Sequence, residues 1–87
     1  MIIEFDPVKA AANWKKHKIA FDEAATCLLD PNALAFEDIT ASGERRRVLL
    51  GLSEKGRLLT VVYTLRGENL RLISARKATA KEQKSYA

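Results

Sequence analysis

The spacing of apolar positions changes along this chain, and the change divides it into helical and strand-like parts. Ile2-Ile3-Glu4-Phe5 reads as a short strand. Asp6-Pro7 then opens a helix: the aspartate accepts from free N–H groups, and proline's fixed φ suits the first helical position. VKAAANWKKHK continues it, with Val8, Ala11, Ala12 and Ile19 near one face and Ala10, Trp14 and His17 in an adjoining stripe. Phe21, Ala24, Ala25 and Leu28 predict a second helix over about 21–29, which Asp30-Pro31-Asn32 ends.

Farther on, strands are expected over 46–52, 58–65 and 70–76, the second of them rich in Val, Tyr and Thr. The links, Ser53-Glu54-Lys55-Gly56 and Arg66-Gly67-Glu68-Asn69, are short and contain glycine, so neighbouring strands should be antiparallel. A last helix over 78–86 has Thr79 as N-cap and Glu82 three residues on, the capping-box pattern. The order β-α-α-β-β-β-α describes an α+β fold with a three-stranded antiparallel meander, in which helices pack on one face of a four-stranded sheet. A chain of 87 residues makes a single domain, 1–87, the natural expectation.

Composition narrows the function. No apolar run is long enough to span a membrane, and the start MIIEFDP lacks the basic region of a secretory signal. The single cysteine, Cys27, lies in an apolar run and reads as a buried thiol, so a cytoplasmic setting is expected. The net charge of +4 is unevenly placed. Residues 1–65 hold nine Lys/Arg and nine Asp/Glu, whereas residues 66–87 hold six Lys/Arg against two acids. Such asymmetry suits an anion-binding surface, with a solvated helix face as the plainer alternative.

The chemistry available is limited. One histidine and one cysteine, ten residues apart, do not make a zinc site. Phosphate-loop, dinucleotide and nucleophile-elbow motifs are absent from the sequence. No cofactor or metal is expected. What remains is a basic and aromatic set: Lys16, His17, Arg45, Arg46, Arg47, Arg57, Tyr63, Arg66, Arg71, Arg76, Lys77 and Tyr86. Arginine grips phosphate through a fixed fork of donors, and tyrosine or histidine can stack on unpaired bases. The same set could position an RNA 2′-hydroxyl, stabilise phosphate charge and move protons. It would equally serve a binder that cleaves nothing.

The chain resembles the BrnT toxins of bacterial type II toxin–antitoxin systems. The resemblance rests on Phe5-Asp6-Pro7, Lys9, Asn13, Lys16-His17, Phe21, Glu23-Ala24, Asp30-Pro31, Arg45, Gly51, Gly56-Arg57-Leu58-Leu59, Val61-Val62-Tyr63-Thr64 and Arg71-Leu72-Ile73-Ser74-Ala75-Arg76-Lys77-Ala78. Lys18 stands where that family usually has glycine, Ala20 where it often has Ser or Thr, and Gln83 where it tends to have Arg. The resemblance implies a RelE-like fold and a ribonuclease that inhibits translation. It also implies a BrnA-type antitoxin partner, through which alone the pair would touch DNA.

On this reading Arg76, Arg66, His17 and Tyr63 are the catalytic candidates. Arg66 and Arg76 end adjacent strands and are expected to share the scissile phosphate. Arg71, Lys77, Lys81, Lys84, Arg45 and Tyr86 are the RNA-binding candidates. Alternatives stay open for several of them. Arg76 could sit in a surface ion pair, and His17 could cap a helix end. Tyr63 alternates with Leu59 and Val61 and could belong to the core, and Tyr86 could dock the last helix. A non-catalytic RNA-binding module and a co-repressor subunit working through a DNA-binding partner remain the alternatives to an enzyme.

Overall fold

The computed structural model of the chain describes residues 2–39 and 45–86. In order these form β1 (Ile3–Glu4), α1 (Pro7–His17), α2 (Phe21–Thr26), a 3-10 turn (Cys27–Leu29), β2 (Leu34–Ile39), β3 (Arg45–Leu52), β4 (Leu58–Arg66), β5 (Asn69–Lys77) and α3 (Ala80–Tyr86). The strands make one sheet in the order β1-β5-β4-β3-β2. Strands β2 to β5 run as an antiparallel meander, and β1 lies parallel to β5.

The expected three-stranded meander, and with it the four-stranded RelE-like sheet, is therefore corrected to a four-stranded meander in a five-stranded sheet. The strand not foreseen is β2. It lies at an edge, with Leu34 and Phe36 exposed, so it buries too little to require a strong apolar alternation. The second helix is also shorter than expected, its last turn tightening into the 3-10 segment before Asp30.

The helices do not all share one face of the sheet. Ile19, Phe21, Ala24 and Cys27 pack with Leu49, Leu59, Val61, Leu72 and Ala75 to form the core. Thr60 lies between Leu59 and Val61, so by strand alternation it points the other way. Its hydroxyl donates to Glu82 of α3 at 3.0 Å, and Leu50, opposite Thr60 in the sheet, is only 1% exposed. Helix α3 thus crosses one end of the opposite face.

Local sequence explains the joints. Asp6 caps α1 through its Oδ1, which accepts the Val8 N–H at 2.9 Å. Lys18 closes α1 in the left-handed conformation, φ 58° and ψ 32°, with its N–H donating to Trp14 O. The capping box of α3 forms in both directions: Glu82 N–H donates to Thr79 Oγ1 at 3.2 Å, and Thr79 N–H to Glu82 Oε1 at 2.8 Å. Gly51 admits the 3-10 turn to the sheet; a Cβ there would lie 3.0 Å from Cys27 O and 2.9 Å from Leu49 Cδ2. Among the described residues no helix is long and apolar enough to cross a membrane.

Asn13 and Glu23 are among the polar residues buried inside this frame with partners. The Asn13 amide donates to Ile19 O and Ala75 O, each at 2.9 Å, and accepts the Ala75 N–H at 3.0 Å. The Glu23 carboxylate takes Ser53 Oγ at 2.7 Å and a two-point fork from Arg57. That fork is the main reason its carboxyl titrates below the usual range.

Candidate functional site

Strand β5 organises the site. The short β1 pairs with it only at Leu70 and Arg71, which leaves the later part of that edge to α1. Asn13 occupies it by holding both backbone groups of Ala75 in the way a neighbouring strand would. The rest of that helix stripe follows. Lys9, Ala12, Asn13, Lys16 and His17 sit at helical spacing and line a shallow pocket whose other wall is Ile73 and Ser74. One imidazole and two ammonium groups are thereby gathered against the middle of β5.

Ser74 links that pocket to the sheet face that α3 partly covers. It pairs with Val62, and Arg76 pairs with Thr60, so Ser74 and Arg76 point to the same side about 7 Å apart along the strand. Arg76 meets Glu82 in a fork, Nη1–Oε1 2.8 Å and Nη2–Oε2 3.1 Å, and Nη1 also reaches Lys77 O at 3.3 Å. The fork raises the Arg76 pKa and holds the Glu82 carboxyl down at about 2. Arg76 therefore does sit in an ion pair. The Arg76 side chain stays 40% exposed, with its Nε–H and a second Nη2 hydrogen outside those bonds.

The other candidates fall in different places. Arg66 pairs with Asn69 at the far end of β4, while Thr60, six residues earlier, is opposite Arg76. The two arginines share a face but stand about 20 Å apart, so the expectation that both hold one phosphate is corrected. Consecutive antiparallel strands finish at opposite ends of the sheet. Tyr63 is 7% exposed and packs inside the core cluster, opposite Leu72. Tyr86 docks α3 by donating its hydroxyl to Asp30 Oδ2, a carboxylate that also accepts the Leu52 N–H at 2.8 Å.

Arg71, half-buried, pairs with Glu4 at 3.4 Å, and Arg45, exposed at the start of β3, pairs with Glu37 at 3.2 Å. Lys77 is exposed opposite Leu59 and so points away from the side that Arg76 takes. Lys81 and Lys84 are exposed on α3. Cys27 is fully buried, and burial pushes its thiol up to about 11, so it is no nucleophile.

Against known protein families, residues 5–82 match the model described as ribonuclease toxin, BrnT, of type II toxin-antitoxin system. The chain belongs to the BrnT family of ribonuclease toxins. Among solved structures, the Brucella abortus ribonuclease toxin BrnT superposes with a TM-score of 0.71 at 27% identity. The match covers 91% of this chain and 97% of that one. No curated protein matches the chain. As a BrnT toxin it is a ribonuclease of a type II pair, with an antitoxin partner and an RNA target.

Within the BrnT frame the pocket gives a place in the site to Lys9 and Ser74, and the fork on Arg76 gives one to Glu82, none of which was a site candidate from sequence. Their signal was present. Lys9, Asn13, Lys16 and His17 repeat at i, i+4, i+7 and i+8, the spacing of one helix face. Among the described residues no group of three or more His, Cys, Asp or Glu could hold a metal ion.

Proposed function

We propose that this BrnT toxin cleaves RNA without a metal ion, at a site between the Lys9–His17 stripe of α1 and the later half of β5. The observation that carries this reading is the convergence of Lys9, Lys16 and His17 on Ser74, two residues from Arg76 on the same sheet face. In this mechanism the RNA's 2′-hydroxyl attacks the adjacent phosphorus, and the 5′-oxygen leaves with a proton. The products are a 2′,3′-cyclic phosphate and a free 5′-hydroxyl. His17 moves protons at the reacting oxygens. Arg76 gives its remaining N–H donors to the phosphate as charge builds in the transition state, while Glu82 fixes the plane of its guanidinium. Lys9 and Lys16 hold flanking phosphates.

The remaining basic residues fit a path for the RNA strand. Lys77, Lys81 and Lys84 extend from the Arg76 end, and Arg71, Arg66 and Arg45 lie toward the opposite end of the strands. Cleavage of cytoplasmic messenger RNA would inhibit translation. A BrnA-type antitoxin would neutralise the toxin and carry any DNA contact of the pair.

The test is single-turnover cleavage of end-labelled RNA in excess EDTA. Persistent cleavage with 2′,3′-cyclic ends is expected. Activity that disappears with EDTA and returns with a divalent ion would overturn the mechanism. Binding without cleavage would instead favour a passive RNA-binding role.

A further inference from the structure

Helix α1 carries two stripes, and the site proposed above uses one of them. On the other, Ala10, Ala11 and Trp14 line a groove whose far wall is Ala20, Phe21 and Asp22, with Phe5 beside them. Of the whole helix only Asn13 is buried. Val8 is 76% exposed and Trp14 51%. A surface helix normally turns its large apolar side chains toward the core. An exposed indole beside an alanine-floored groove has the anatomy of a protein interface, where tryptophan is the commonest kind of anchor.

The α1 side of this groove's rim is basic, and Asp22 on the far wall is the acid among the lining residues. Lys15 is exposed one residue beyond Trp14, and the Lys18 ammonium sits 5.8 Å from the centre of the Trp14 ring. The first turn of α1 holds no acid, and its last turn holds Lys15, Lys16 and His17. The charge that complements such a surface is negative, and the groove runs between two helices, which suits a third helix laid along it. We infer that this stripe of α1 is where an acidic amphipathic helix of the antitoxin docks, an inference that rests on reading the chain as the toxin of a type II pair. An apolar side chain of that helix fills the alanine floor against Trp14, and its carboxylates meet Lys15 and Lys18. RNA fits less well, because the floor offers methyl groups where phosphate needs N–H donors. The docked helix would lie beside the stripe of Lys9, Lys16 and His17 and so restrict entry to the pocket without filling it.

The experiment is calorimetric titration of the free toxin with its cognate antitoxin, using wild type, Ala11→Asp, Lys15→Glu and, as a charge control, Lys55→Glu. Ala11 and Lys15 are exposed, and thermal melts verify that the variants fold. Ala11→Asp and Lys15→Glu are expected to weaken antitoxin binding by roughly tenfold to thirtyfold, and Lys55→Glu to leave it unchanged. Fluorescence of Trp14, the single tryptophan, should shift to the blue on binding. The free variants should cleave RNA at the wild-type rate. Unchanged affinity in both folded variants would overturn the inference. So would lost cleavage in the free variants, which would make the stripe an RNA surface. A free dimer that Ala11→Asp dissociates would make the occupant a second copy and overturn it as well. A wild-type chain that cleaves no RNA would sink the catalytic reading, while the affinity comparison would still decide the docking surface.

Discussion

Arg76 and Glu82 face each other across the turn from β5 into α3, joined at two points, 2.8 and 3.1 Å. The same carboxylate accepts the Thr79 N–H and the Thr60 hydroxyl. One acid thus caps α3, ties it to β4 and fixes the plane of the guanidinium. Arg76→Ala is expected to slow single-turnover cleavage by about 10²–10³-fold, the scale of losing one charge-stabilising donor. Because the pair is partly exposed, the loss in stability should stay near 0.2–1 kcal/mol. Arg76→Lys should recover only part of the rate, since an ammonium cannot reproduce the fork. Rates and thermal melts on the same samples check this. A folded Arg76→Ala protein that cleaves at the wild-type rate would mean the reacting face lies elsewhere.

The Glu82 carboxyl makes stability depend on acid. Hydrogen bonding to Arg76 is the largest influence on it, aided by the Thr79 N–H and the Thr60 hydroxyl and opposed by burial, and it rests at about 2 against an ordinary 4.5. A group depressed in the folded state stabilises above its unfolded pKa and loses that contribution as pH falls through the folded one. Stability should therefore decline from about pH 4.5 toward pH 2. Glu23 and Asp30 are also held low and add to the decline. Glu82→Gln should lower the urea midpoint at neutral pH and flatten part of the acid slope. If its midpoint profile stays parallel to wild type through that window, the acid sensitivity belongs to other carboxylates.

Lys18 carries a strain that glycine would remove. It is the one non-glycine residue with positive φ among the described residues. A Cβ in that conformation is disfavoured, and glycine is the usual helix-ending residue there. Lys18→Gly should stabilise the protein by roughly 0.5–1 kcal/mol, reduced by whatever the exposed contact with Trp14 contributes. Denaturant unfolding gives the answer directly. A lower midpoint would show that the Trp14 contact outweighs the backbone strain.

Much of the fold was legible where a local rule decides it. Asp6-Pro7 and the Thr79–Glu82 box mark helix starts by side-chain reach alone, and both form as the pattern requires. The two hairpins follow from glycine at Gly56 and Gly67, each with positive φ. Strand β2 was not legible because an edge strand has one neighbour and little to bury. The fork of Arg57 on Glu23 was hidden for another reason: its partners are 34 residues apart, and only the packed sheet brings them together. Alternation put Tyr63 with Leu59 and Val61, but deciding between core and site needed the helices that cover them. The site was half legible. The basic tail was visible as charge, whereas the convergence of α1 on Ser74 depends on Asn13 docking the helix to the β5 edge.

The spread of basic residues over the sheet predicts two classes of variant. Arg66 stands about 20 Å along the strands from the Arg76 row, too far to touch the same phosphate. Lys81 and Lys84 lie on the exposed side of α3, beyond the Glu82 fork. These three should act by neutralising phosphates away from the reacting bond. Replacing each with Ala should weaken RNA binding and lower the log–log salt slope by about 0.7, the effect of one released counterion on a single strand. At saturating RNA the single-turnover rate should hardly change, because lost uniform binding raises KM and leaves the chemical step alone. Arg76→Ala and His17→Ala should do the reverse, cutting the saturated rate while leaving most of the affinity. Filter binding across a salt series, paired with rates at saturating RNA, separates the classes. Should Arg66→Ala lose as much saturated rate as Arg76→Ala, the reacting phosphate lies nearer the hairpin end of the sheet and the pocket beside Ser74 is not the active site.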